Sequence, residues 1–231
     1  MIVAIHQPNF MPWLGYFYKM AKADCFVFHD KVALADRSFT NRVKIKTSSG
    51  ADWASVSVTA ESRGRPIVQA VCSDTAQWRR KIPIALEVNY RKAPYFKEYG
   101  AAICEKISSG PPNLADLNIS LIGHIAAILD LHTPTRRSSQ MAAEGSGNGL
   151  NIAICKELGA DTYLSGTGAG NTYQEEAAFT AAGLKLVYSD FRHPVYPQQF
   201  GSFEPNLSIL DLLFNCGSES AAILQNAGNP S

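Results

Sequence analysis

The chain opens on an unbroken apolar run at residues 2–5, followed at once by the polar cluster His6-Gln7-Pro8-Asn9. A short continuous apolar run predicts a strand covered on both faces. Leu14, Phe17 and Ala21 then recur at helical spacing and predict a short helix over 14–23. Asp24 ends it, and the apolar run 25–28 predicts a second buried strand leading into His29-Asp30. Strand, turn, helix and strand within thirty residues form a βαβ unit, which implies parallel strands and a right-handed crossover. Ligands of such sheets collect at the carboxyl ends of the strands. His6 to Asn9 and His29-Asp30 are therefore expected on one rim.

The pattern then changes. Over 37–46, Val43 and Ile45 alternate with Arg42, Lys44 and Lys46, as in a strand with one polar face. Gly50 predicts a turn, 53–59 alternates again, 64–66 turns, and 67–71 reads as a further strand. Residues 37–72 are thus expected to be a β-rich insertion. Asp74 or Thr75 is placed to cap a helix over 76–90, which Pro83 should kink or restart. Helices follow over 95–107 and 114–131, the latter marked by Leu114, Leu117, Leu121, Ile125, Ile128 and Leu131. Residues 75–131 therefore form a helical middle segment. The polar, glycine-containing stretch 133–149 predicts a flexible loop of lid or binding type.

The remainder alternates once more: a helix over 151–158, a strand over 162–164, a glycine-rich loop, a helix over 172–182 and a strand over 184–188. This is a second βαβ unit. Helices over 206–214 and 220–226 close the chain. The predicted fold is a single α/β domain over 1–231, with a mostly parallel, Rossmann-like sheet.

Composition bounds the function. The 231 residues carry 21 Lys+Arg against 20 Asp+Glu, a formal charge of +1. That balance disfavours bulk nucleic-acid binding, which draws on a basic excess, although it leaves transfer RNA open. Residues 119–131, the longest apolar stretch, are broken by His124 and Asp130 and are too short for a membrane span. The N-terminus lacks the basic and apolar regions of a signal peptide. The five cysteines never form C-x-x-C, so buried reduced thiols in a cytoplasmic protein are expected.

Four places offer chemistry. His6, Gln7 and Asn9, backed by Trp13 and Tyr16, follow a buried strand and open a helix, where anions meet backbone N–H groups. His6 is either a general base or phosphate ligand, or a histidine bonded to its own turn. Arg37, Asn41, Arg42 and Lys44 suit a phosphate or carboxylate, since Arg offers a planar fork; the alternative is a solvated strand face. Ser165, Gly166, Gly168 and Gly170, with Tyr173 beyond them, form a glycine-rich loop between strand and helix. It lacks the Walker A lysine and the G-x-G-x-x-G spacing, yet it suits an anion cradle. Asp190, His193 and Tyr196 follow the last strand, and Asp190 with His193 offers an acid–base pair. His6 and His193 are thus the candidate bases, with Asp30 and Asp190 as orienting carboxylates. No metal ligand set is read. The residues fix no cofactor; a nucleotide or nucleotide-linked donor is the group such parts would hold.

Several segments together are similar to the WbqC-like protein family: IHQPNFMPWLGYFYKMAKADCFVFHD, RSFTNRVKIKT, KAPYF, DTYLSGTGA and HPVYPQQFGSFEPNLSILDLLFNCG. The resemblance implies a role in surface-polysaccharide (O-antigen), other sugar or natural-product biosynthesis. Trp13-Leu14-Gly15-Tyr16 also stands where nucleotidylyltransferases and class I aminoacyl-tRNA synthetases carry H-x-G-H, with both histidines replaced. That likeness implies fold kinship alone. The parts fit a transferase, with acyl or aminoacyl transfer to an amine or hydroxyl as the expected reaction. The alternative is a non-catalytic protein that binds a nucleotide or nucleotide-sugar. In either case the expected partner is an anionic small molecule.

Overall fold

A computed structural model describes residues 1–166 and 175–228. The apolar run at the N-terminus forms β1 (Ile2–His6), and α1 (Leu14–Ala21) leads into β2 (Cys25–Phe28). β3 (Arg42–Thr47) and β4 (Gly50–Ser55) form an antiparallel hairpin. Three helices follow: α2 (Trp78–Tyr90), α3 (Phe96–Ser109) and α4 (Leu114–Ile128). Then come β5 (Thr135–Arg137), α5 (Gly147–Glu157), β6 (Thr162–Ser165), α6 (Glu176–Ala181) and β7 (Lys185–Tyr188). The C-terminal pair is α7 (Ile209–Cys216) and α8 (Glu219–Gln225).

Five strands form one parallel sheet in the order β5-β2-β1-β6-β7. This is the order 3-2-1-4-5 of a Rossmann-like α/β fold. Both βαβ units read from the sequence are present. The central strands β1 and β2 are largely apolar because both faces are covered. Ala4, Phe26, Phe28 and Leu164 pack into the larger core beneath α1, α4 and α7. Val3, Ile5, Val27 and Tyr163 point the other way, onto α5 and α6. The strand order reverses between β1 and β6: the strands that follow β1 in sequence extend to one side, and those from β6 onward to the other. The crevice at that switch point is where such sheets hold ligands.

Three expectations are corrected. Residues 133–149 are not one loop. They contain β5, paired with β2 from Phe26↔Thr135 to Phe28↔Arg137, a turn at Ser138–Gln140, and the start of α5. As an edge strand of Thr-Arg-Arg, β5 carries no apolar signal. Residues 67–71 form no strand but a single 3-10 turn, Ile67–Gln69. Their amides go to loops instead: Ile67 to the Val32 carbonyl, Val68 to that of Asp30, and Val71 to Ser62 Oγ. The β-rich insertion is therefore only the β3–β4 hairpin and irregular chain. The restart expected at Pro83 does not occur: Pro83 lies inside α2, and the carbonyl it leaves without an amide, that of Arg79, accepts from Ser108 Oγ at 3.2 Å.

All five cysteines are free, and four of them are buried. Among the described residues no helix is long and apolar enough to cross a membrane.

Candidate functional site

A cavity of about 580 Å³ opens at the switch point. Its floor is built by strand ends: Ile5 and His6 of β1, His29 after β2, Ser165 and Gly166 of β6, and Ser189 after β7. Trp13, Gly15, Tyr16 and Lys19 of α1 form one wall. Ser38 and Phe39, Asn151 of α5, and Phe191 and Asn206 form the others. The volume falls in the ordinary range for small-molecule sites. Among the described residues, the lining has no carboxylate.

The walls are held from outside the cavity. Asn118 of α4, fully buried, donates both amide protons: one to the Pro8 carbonyl (2.8 Å) and one to that of Thr40 (2.7 Å). Thr40 Oγ1 donates to Gln7 Oε1 at 3.0 Å. The Tyr16 hydroxyl donates to the Gln7 carbonyl at 3.1 Å. A helix from the middle of the chain thus pins the turn after β1 to the loop before β3. Gly15 has a steric role: a Cβ there would lie 2.9 Å from Trp13 Nε1 and 3.0 Å from the Phe191 ring. Only glycine lets both rings close over the start of α1.

The electrostatics are unusual. Lys19 is buried (3% exposed), and its Nζ donates to the Ile5 carbonyl at 3.0 Å. Burial pulls its ammonium down to about 7. His6 packs edge-on against Tyr16 (4.8 Å between ring centres) and Trp13 (5.6 Å). Its Nδ1 lies 3.2 Å from the Gln7 carbonyl, so Nδ1 carries the proton and Nε2 is the basic nitrogen. Burial, and next Lys19, hold this imidazole well below its ordinary value. His29 is drawn down to about 4, chiefly by burial, and its buried Nδ1 has no hydrogen-bond partner. At neutral pH the cavity therefore holds two neutral imidazoles and a lysine poised between charge states.

The predicted residues divide sharply. His6, Gln7, Asn9, Trp13, Tyr16, Ser165 and Gly166 meet at the cavity. Gly168, Gly170 and Tyr173 lie outside the described residues. The remaining candidates lie elsewhere.

Asp30, fully buried, does not face the cavity. It accepts from Arg137 Nε (2.8 Å), Ser138 Oγ (3.1 Å), and both Ser139 N and Oγ (2.8 Å each). Burial alone would raise its carboxyl, but the Arg137 and Ser139 hydrogen bonds outweigh burial and hold it below the usual value. It joins the end of β2 to the end of β5.

Asp190 and His193 are not paired with each other. Asp190 accepts from the Tyr18 hydroxyl at 2.7 Å. His193 Nδ1 donates to the Pro194 carbonyl (2.9 Å), and Nε2 accepts from the Asn206 amide (3.0 Å). With both ring nitrogens bonded to backbone groups, His193 fixes its own loop and is absent from the described cavity lining. Tyr196 is buried beside Asp211, away from the cavity.

Arg37 is exposed in the loop before β3, with φ +51°. Asn41 donates to the Val56 carbonyl at 3.2 Å, inside the insertion. Arg42 and Lys44 project from the hairpin onto Trp53 and do not line the cavity.

Sequence reasoning placed His29 on this rim without giving it a role, and it missed Lys19, Ser38, Asn151, Ser189 and Asn206. One signal was available: Lys19 is the sole charge in α1, inside Phe17-Tyr18-Lys19-Met20, where a solvated lysine has no place.

Comparison with known proteins gives two matches. Uncharacterized protein Rv1507c of Mycobacterium tuberculosis (strain ATCC 25618 / H37Rv) is 33% identical over 226 residues, spanning 96% of this chain and 97% of that protein. No solved structure matches. The family model described as the WbqC-like protein family aligns with residues 7–223, which takes in every described part of the cavity except Ile5 and His6. The chain belongs to the WbqC-like protein family.

Proposed function

We propose that this chain is a transferase that holds an anionic small-molecule donor at the switch point and passes a group from it to an amine or hydroxyl. The observation that carries this reading is a cavity lined by Lys19, His6 and His29 with no carboxylate among the described residues of its lining. An anion entering it meets donors and no like charge, and it supplies the counter-ion that Lys19 lacks. Phosphate, diphosphate or carboxylate groups fit; a cationic ligand does not.

The reaction that suits these parts is acyl or aminoacyl transfer. His6 Nε2 takes the proton from the attacking amine or hydroxyl, help worth roughly 10²–10⁴-fold in rate. Side-chain donors along the rim, among them Lys19, Ser165 and Asn151, stabilise the oxyanion and the departing anion. The role that the family resemblance implies, in surface-polysaccharide, other sugar or natural-product biosynthesis, supports a sugar or related metabolite as acceptor.

The test has two stages. A thermal-shift screen of nucleotides, nucleotide-sugars, amino acids and acyl donors should find an anionic ligand; at a hundred times its Kd, a ligand adds about 2.7 kcal/mol. Turnover with that donor should then fall by about 10² or more in a folded His6→Ala variant. Unchanged turnover in that variant removes the base role. A second reading has its own support: among the described residues no carboxylate orients either cavity imidazole, as befits a protein that binds without turning over. A ligand that shifts melting but yields no product with any acceptor favours it.

A further inference from the structure

Outside the cavity mouth, the β3–β4 hairpin carries an aromatic strip backed by cations. Trp13 and Phe39, both in the cavity wall, meet at 5.4 Å between ring centres. Phe39 in turn meets Trp53 of β4 at 5.9 Å. Phe39 is 48% exposed and Trp53 38%, so the strip lies open to solvent. The Arg42 guanidinium sits 4.1 Å from the centre of the Trp53 ring, and Lys44 Nζ lies 5.5 Å from it. Lys44 stands directly opposite Trp53 in the hairpin register.

These cations lack what surface cations usually have. Among the described residues neither Arg42 nor Lys44 forms an ion pair with a carboxylate. Arg42 Nε is buried with no hydrogen-bond partner. The contact with the Trp53 ring restrains the guanidinium before any ligand arrives, and this lowers the ordering cost of binding. Two neighbouring cations without partners, one a preset fork, favour an oxyanion.

We infer that Arg42, Lys44 and Trp53 form a second anion clamp, which binds a phosphate or carboxylate on the far end of a ligand that reaches the cavity along Phe39 and Trp13. The inference rests on the proposed anion-binding role of the cavity, and it adds that the ligand is extended and anionic at both ends. Flat or ring-shaped groups suit the middle, because the strip between the two sites is aromatic.

The chain has three tryptophans, Trp13 in the cavity, Trp53 in the clamp and Trp78 in the core, so indole N–H signals in a ¹H–¹⁵N NMR spectrum report each region separately. Signals are assigned with Trp53→Phe and Trp78→Phe. The probes are inorganic pyrophosphate and, in parallel, citrate. The expected result is that the Trp13 and Trp53 signals move while that of Trp78 does not. In Arg42→Gln/Lys44→Gln, the Trp53 response should weaken by about tenfold or more in apparent affinity, as expected for lost charge-assisted bonds, and the Trp13 response should persist. A response to pyrophosphate alone identifies a phosphate site; one to citrate alone identifies a carboxylate site. A Trp53 signal that stays still with both probes overturns the clamp, as does one that moves equally in the double variant. The two readings separate cleanly: movement of Trp53 without Trp13 removes the cavity reading and the two-ended ligand with it, leaving an isolated anion site on the hairpin, and the reverse removes only the clamp.

Discussion

Lys19 concentrates the chemistry of this protein in one residue. A lysine in water holds its proton to about 10.4; here burial brings the value to about 7. Between those two values the unfolded chain binds the proton and the folded chain does not. Stability should therefore rise as pH climbs from about 7 toward 10, at up to about 1.4 kcal/mol per pH unit. Lys19→Met should flatten that slope, and urea unfolding at pH 7, 8 and 9 measures it. Anion binding has the opposite sign. A bound phosphate or carboxylate favours the ammonium, so affinity should fall as pH rises through and above 7, with proton uptake on binding. Calorimetry in buffers of different ionisation enthalpy should detect that uptake in the native protein and lose it in Lys19→Met. A pH-independent affinity would show that Lys19 does not meet the ligand.

At the scale of elements, α4 matters more for the site than its distance in sequence suggests. Asn118 supplies both of its amide protons to the loops that form the cavity walls. Asn118→Leu would leave the Pro8 and Thr40 carbonyls buried without these donors. The expected cost is roughly 2–4 kcal/mol of stability, with weaker ligand binding even where the variant is folded. A lower midpoint in urea at unchanged slope checks the first part, and a titration with the ligand found in the screen checks the second.

The elements that position the site were mostly legible in the sequence. Continuous apolar runs marked β1 and β2, and their spacing to α1 fixed the parallel arrangement and hence the rim. β5 was not legible, because an edge strand exposed on one side has no apolar pattern to display. The site was legible only in part. His6, Gln7, Asn9, Trp13 and Tyr16 lie next to a strand end in sequence, so position revealed them. Asp30 and His193 have the same local signature yet serve structure. What separates them from His6 is where their hydrogen bonds go, to Arg137 and Ser139 or to Pro194 and Asn206, and those partners are set by tertiary packing. Lys19 and Asn151 come from helices, where no turn or glycine advertises a ligand.

For the whole molecule, the near-zero net charge proves uninformative about the site itself. The average conceals two cationic places without carboxylate partners among the described residues, Lys19 inside the cavity and Arg42 with Lys44 outside it. A small ligand anionic at both ends would feel both, whereas the even balance of charges disfavours a polyanion.

Ser208 ties the two ends of the chain together. Its Oγ accepts from the Leu210 amide, which starts α7, and donates to the Met11 carbonyl at 2.8 Å; its amide donates to the Lys44 carbonyl at 2.8 Å. Ile209 N adds a bond to the Pro12 carbonyl at 2.9 Å. The turn that carries Trp13 and the hairpin that carries Arg42 are thus both anchored by Ser208 and Ile209, far later in the chain. During synthesis, the first half of the site must wait for the last tenth of the chain. Contacts of such long range close late and slow folding, so a nascent chain stopped before residue 206 should have its sheet strands but no working cavity. Limited proteolysis of stalled chains should find the 7–13 and 37–41 segments open to cleavage until α7 has emerged.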